Sequence, residues 1–188
     1  MDLNAPEIDH DAQHSYTLTV FTENVPGLLS EVVSVFTRIK MNIDTLTVSA
    51  SRIEGIHRFT VTIDCTKKLI DKITAQLEKK VDIVAAFAYL SHEVVAREIA
   101  MFKVDIKVLQ DDAIREGLLD LHNPAVIEEH DKYAVLIKSG KEAKIQAMFD
   151  YLEPHNCIYE FVRSGRIAVV REMDPFSKRL DSMDKDFH

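Results

Sequence analysis

The sequence predicts an α+β fold made of two consecutive ferredoxin-like β-α-β-β-α-β units. Three observations carry that prediction. The hydrophobic period switches repeatedly between two residues and about 3.6, the signatures of strand and helix. The switches run strand-helix-strand-strand-helix-strand over residues 15–91 and then recur over 92–172. No strong residue-level repeat joins the halves, so the repetition lies in the order of elements. That order is the split βαβ arrangement, four antiparallel strands with both helices on one face.

In the first unit a strand begins at Tyr16, where Tyr16, Leu18 and Val20 alternate with Thr17, Thr19 and Phe21. A turn, Asn24 to Gly27, leads into a helix whose stripe is Leu28/Leu29, Val32/Val33, Phe36 and Ile39. After Asn42 the period returns to two, with Ile43, Leu46 and Val48 on the apolar side and a slip near Asp44. Ile53 to Gly55 forms a hairpin turn. The clearest strand follows, with Phe59, Val61 and Ile63 alternating with Arg58, Thr60 and Thr62. Leu69/Ile70, Ile73 and Leu77 mark a second helix, and Lys79 and Lys80 suit its negative end. The run from Val81 to Ser91 gives the fourth strand.

Ser91 to Glu98 is the joint, expected to continue strand four into strand five. The second unit opens with a strand over 100–109, carrying Phe102, Val104, Ile106 and Val108 on one side. Asp111 and Asp112 open a helix with Ile114, Leu118 and Leu121. Two strands flank Asp131. A helix then carries Ile145, Met148/Phe149 and Leu152, and a strand follows from Asn156. Ser164-Gly165 turns the chain into a short last strand. Residues 1–14 and 173–188 are expected as mobile tails.

Composition narrows the function classes. The 188 residues are 46% hydrophobic and 29% charged, an ordinary globular balance. A net charge of −8 argues against a phosphate-tracking surface, so no nucleic acid partner is expected. The longest apolar run, Ile83 to Leu90, is too short to cross a bilayer, and no membrane association is expected. The N-terminus lacks the basic and apolar regions of a secretory signal, and the two cysteines are far apart in sequence. A cytoplasmic location is expected. The eight histidines do not support a metal site: His92-Glu93 lacks a second histidine four residues on, and His10 and His14, though four apart, sit in a polar tail without helical periodicity. No nucleophile motif or glycine-rich phosphate loop is present. No catalytic site and no metal site are expected in this chain.

One stretch carries chemistry, the helix from Leu28 and its two ends. A helix N-terminus presents unpaired N–H groups and the positive end of a dipole, which attract a carboxylate. Gly27, without a Cβ, lets a ligand approach the backbone. Asn24 and Asn42 each offer donor and acceptor. Leu28 and Ile43 supply apolar wall. Together these meet the needs of a free amino acid. Each residue also has a plain structural role: Asn24 in a turn, Gly27 permitting it, Asn42 terminating the helix. On local sequence alone the structural role is favoured.

The same residues resemble a known family. The segment ENVPGLLSEVVSVFTRIKMNIDTLTVS resembles the start of an ACT domain, the amino-acid-sensing βαββαβ module, and in particular that of acetolactate synthase small subunits. RFTVTID is similar to the family's third strand, VAREIAMFKV to its xxRELxLxKV, and VRSGRIAVVRE to its closing xRTGxxxLxRG. The resemblance implies an effector-binding, dimerising ACT domain over 15–91 and a C-terminal domain over 92–172 that contacts the large subunit. It implies activation of that catalytic subunit and feedback inhibition by valine, or by leucine or isoleucine. Thiamine diphosphate, Mg²⁺ and FAD are expected on the large subunit, and none in this chain. Asn24, Pro26, Gly27 and Leu28 of one copy would face the effector, with Asn42 and Ile43 of the other in a homodimer. The alternative is a stand-alone ACT-type sensor serving another pathway, against which the long second domain argues.

Two departures stand out. The family carries Gly where this chain has Lys40. Lys disfavours the left-handed conformation, so the helix is expected to end differently and to shift Asn42. Asp120 to His130 also fits the family's second-domain pattern poorly.

Overall fold

The computed structural model describes residues 11–171. The chain divides into two compact units, one taking the chain up to Val95 and again from Ala168, the other spanning Ala96–Ile167. Both are built on the predicted β-α-β-β-α-β order, and the α+β prediction holds. Of the tails expected over 1–14 and 173–188, residues 1–10 and 173–188 lie outside the described residues, and Gln13 and His14 belong to a strand instead.

The first sheet has the order β2-β3-β1-β4. Strand β1, Gln13–Glu23, starts earlier than its alternation predicts, because Gln13 and His14 still pair with Thr66 and Cys65 of β3, Ile56–Thr66. Strand β2, Thr45–Ala50, pairs with β3, and β4, Ile83–Leu90, pairs with β1. Tyr16, Leu18 and Val20 join Phe59, Val61 and Ile63 under helices α1, Leu28–Arg38, and α2, Lys67–Leu77. The buried stripe of α1 is Leu28, Val32, Val35 and Phe36, while Leu29 stays exposed. Emptying a site such as Phe36 to Ala would cost about 3–5 kcal/mol. Lys80 reaches across to Glu31 at 3.2 Å and ties the end of α2 to α1. The face of β1 away from the helices is buried as well: Thr17, Thr19 and Phe21 are each under a tenth exposed.

The joint is a tight turn, not a continued strand. Glu93 N–H donates to the Leu90 carbonyl at 2.9 Å, and the Glu93 carboxylate accepts from Leu90 N–H at 2.6 Å. Strand β5, Val94–Asp105, then ends earlier than predicted. The Asp105 carboxylate accepts the Lys107 N–H at 2.9 Å, an Asx turn that starts the short helix α3, Lys107–Gln110. Ile106 and Val108 are core residues as expected, but on a helical turn. Helix α4, Asp112–His122, is capped by Asp111, whose carboxylate accepts from Ala113 N–H and Ile114 N–H. Only Leu118 of its stripe is fully buried, and Leu121 is 72% exposed.

Strands β6, Ala125–Glu129, and β7, Tyr133–Gly140, precede helix α5, Glu142–Leu152. Strands β8, Ile158–Arg163, and β9, Ile167–Val170, close the chain. The second sheet runs β6-β7-β5-β8, with β9 also on β5. No described helix is long and apolar enough to cross a membrane.

Candidate functional site

The turn before α1 is pinned from two sides. Glu23 N–H donates to the Asp82 carbonyl at 3.1 Å, and Asn24 N–H to the Gly55 carbonyl at 2.8 Å. Asn24, Val25, Pro26 and Gly27 are all exposed. Gly27 is the N-cap, at φ 88° and ψ −12°, with no side-chain cap on the helix. A side chain is strained at that φ, which accounts for glycine here. A Cβ built on Gly27 would meet nothing within 4 Å, so the backbone in front of the helix stands open. The uncapped N–H groups of the first turn point into that space. Leu28 is 4% exposed and packs in the core, where it fixes the start of the helix.

The other end of α1 is a Schellman motif, against expectation. Lys40 sits at φ 54° and donates its N–H to the Thr37 carbonyl at 3.0 Å; Met41 N–H donates to Phe36 at 3.0 Å. Met41 packs on the core that contains Phe36. That apolar contact and two hydrogen bonds outweigh a left-handed penalty of about 1–2 kcal/mol for a lysine. The helix therefore ends as a glycine would end it. Asn42 is exposed just beyond, Ile43 is half-buried against the core, and Asp44 N–H donates to the Thr62 carbonyl at 3.0 Å.

Within one chain these two groups stay apart. Eleven helical residues separate them, about 16 Å at 1.5 Å per residue. A free amino acid does not span that distance. The structure thus places Asn24, Pro26 and Gly27 together and Asn42 and Ile43 together, but does not join the two sets.

Elsewhere the polar groups suit structure. Burial pushes the Cys65 thiol up to about 11 and raises Cys157 as well, so neither is a nucleophile near neutrality. Among the described residues no cluster of three or more His, Cys, Asp or Glu side chains is placed to hold a metal.

Residues 97–172 match the family described as the small subunit of acetolactate synthase, and residues 18–85 the AHAS small subunit-like ACT domain. The acetolactate synthase small subunit of Haemophilus influenzae is 30% identical over 82% of this chain and 94% of its own length. This chain belongs to the acetolactate synthase small-subunit family. The small subunit 2 of Arabidopsis thaliana chloroplasts is 32% identical over 87% of this chain, which spans only 34% of that longer protein. The crystal structure of the acetolactate synthase small subunit from Thermotoga maritima superposes with a TM-score of 0.76 at 25% identity, over 85% of this chain and 99% of that one.

Two family motifs meet in the second unit. Glu98, from the VARE stretch, is buried and accepts two hydrogen bonds from Arg163 of the VRSG stretch: Nε at 3.2 Å and a short one from Nη2. Glu142 lies 3.5 Å from Arg163 and 3.1 Å from Arg166. Sequence alone gave no hint of this pairing, since the two residues are 65 positions apart. Arg58 carries no sequence signal either. It lies on the strand face away from the helices, a position that alternation marks as solvent.

Proposed function

We propose that this chain is the regulatory subunit of an acetolactate synthase. It binds the catalytic large subunit, raises its activity, and makes it sensitive to valine or a related branched-chain amino acid. The thiamine diphosphate, Mg²⁺ and FAD of the reaction reside on that large subunit. The observation that carries the proposal is the pair of left-handed ends on α1, each followed or preceded by an exposed asparagine and separated by about 16 Å. Each is half of an amino-acid site, and a second copy of the chain supplies the missing half.

The chemistry of the halves is complementary. The open N–H groups behind Gly27 receive the effector carboxylate. Asn24 and Asn42 offer acceptors to its ammonium. Ile43 offers an apolar surface to a branched side chain. Micromolar to millimolar binding represents about 4–8 kcal/mol. A differential of only about 1–3 kcal/mol between two states of the holoenzyme suffices for feedback control.

Reconstitution tests the proposal. Acetolactate formation by the large subunit is measured with and without this chain, and L-valine is then titrated. Stimulation followed by saturable inhibition is expected. A large subunit indifferent to this chain would overturn it.

A further inference from the structure

The chain leaves its first unit after Val95 and returns to it at Ala168. Arg58 grips the point of return. Its Nη2 donates to the Ala168 carbonyl at 2.6 Å and lies 3.5 Å from Thr19 Oγ1. Its Cζ stands 5.6 Å over the Phe21 ring. Ala168 is itself only 6% exposed, so the bond is sheltered from water. A charged donor on a sheltered carbonyl makes a stronger bond than a neutral pair. Strand β9 has only four residues; it pairs with β5, Arg171 N–H donates to the Glu93 carbonyl at 2.9 Å, and the Arg58 bond adds a side-chain tie from β3.

The same side chain stands beside both chain segments that hold the candidate turn. Arg58 is opposite Phe21 in the β1–β3 register, on the path to Asn24. Its own strand begins next to Gly55, whose carbonyl anchors Asn24 N–H. A movement of that turn is therefore felt at Phe21 and at the base of Arg58 together.

The geometry points to Arg58 as a positioning residue that couples the Asn24–Gly27 turn to the strand returning from the second unit. Closing the turn on an effector moves the Phe21–Arg58 pair, and the guanidinium carries that movement to the Ala168 carbonyl. This inference rests on the effector site proposed above. It adds a route by which occupancy of that site alters the segment leading to the second unit.

The test uses the full chain, alone and with the large subunit, with Arg58→Met and Arg58→Lys variants. Methionine keeps an apolar stem beside Phe21 and removes the donor; lysine restores a charged donor. L-valine binding is measured by calorimetry, and hydrogen exchange is followed at the amides of Ala168–Val170 with and without L-valine. In the parent chain L-valine is expected to change that exchange. Arg58→Met is expected to bind L-valine within about threefold of the parent and to activate normally. Its exchange no longer responds to L-valine, and half-inhibition needs about tenfold more effector. Arg58→Lys recovers part of the response. A parent chain that binds L-valine with no change at Ala168–Val170 overturns the coupling alone. So does an Arg58→Met variant with parental inhibition, or one that loses binding and activation together. A parent chain that binds no L-valine overturns the effector site, and the coupling with it.

Discussion

Replacing Arg163 with methionine tests whether the Glu98–Arg163 pair holds the second unit together. The Glu98 side chain is 5% exposed and that of Arg163 27%, so the carboxylate is the desolvated partner. Its hydrogen bond to Arg163 raises the guanidinium above its ordinary value, so the cation stays charged throughout the working pH range. Arg163→Met leaves the carboxylate buried without its cation, a loss of about 3–5 kcal/mol. The contact to Glu142 adds less than about 1 kcal/mol, because that side chain is 58% exposed. The expected loss is at least about a fifth of the stability of an ordinary domain, about 5–15 kcal/mol. Glu98→Met together with Arg163→Met removes both charges and should return to within about 1 kcal/mol of the parent. Urea unfolding of the full chain, followed by circular dichroism and arranged as a double-mutant cycle, measures the coupling. A single Arg163→Met variant that loses less than about 1 kcal/mol would show that water reaches the carboxylate. A double variant as unstable as the single one would refute the burial argument directly.

Three further expectations follow from the same geometry. Lys40→Gly should raise stability by about 0.5–1 kcal/mol, the left-handed penalty less the extra freedom of unfolded glycine, and should leave effector response unchanged; a lower urea midpoint would count against the Schellman ending. Gly27→Asp should abolish L-valine inhibition while sparing activation, because its carboxylate repels that of the effector; a variant as valine-sensitive as the parent would move the site elsewhere. Burial first, and then the nearby Lys138, hold His122 below its ordinary value, so the neutral ring is favoured in the folded state. Its contribution to stability is full above about pH 6.5 and is lost as pH falls through the lowered value, so the urea midpoint should drop as pH falls below about 6.5 and His122→Gln should flatten that drop.

The architecture was legible because period and order were both clean. Phe59, Val61 and Ile63 alternate where they must, and Leu28, Val32 and Phe36 repeat where they must. The misses came where two periods coincide or where a local preference met a tertiary one. Ile106 and Val108 alternate like a strand, yet Asp105 captures Lys107 N–H and turns them into a helical step with the same two residues inward. Leu121 fits the α4 stripe but lies in the last turn, past the point where the core covers it. Lys40 reads as a helix ending in the wrong way. The reading fails because the penalty is small beside the fit of Met41 on the core.

The candidate site divides along the same line. Gly27 was legible because a positive φ at a helix start leaves a mark in residue type. The separation of Asn24 from Asn42 can be counted from the sequence, since a helix advances about 1.5 Å per residue. What would join them, the second copy proposed above, cannot be counted from one chain. Arg58 was invisible for a different reason. Alternation assigns it to a face, and the usual expectation is that the face opposite the helices meets water. Thr17, Thr19, Thr60 and Thr62 share that face and are each at most 5% exposed. Threonine suits a covered sheet face as well as a wet one, so its presence left the question open. The bond from Arg58 to Ala168 answers it for one end of the sheet: the residue that reads as solvent-facing is the one that receives the returning chain.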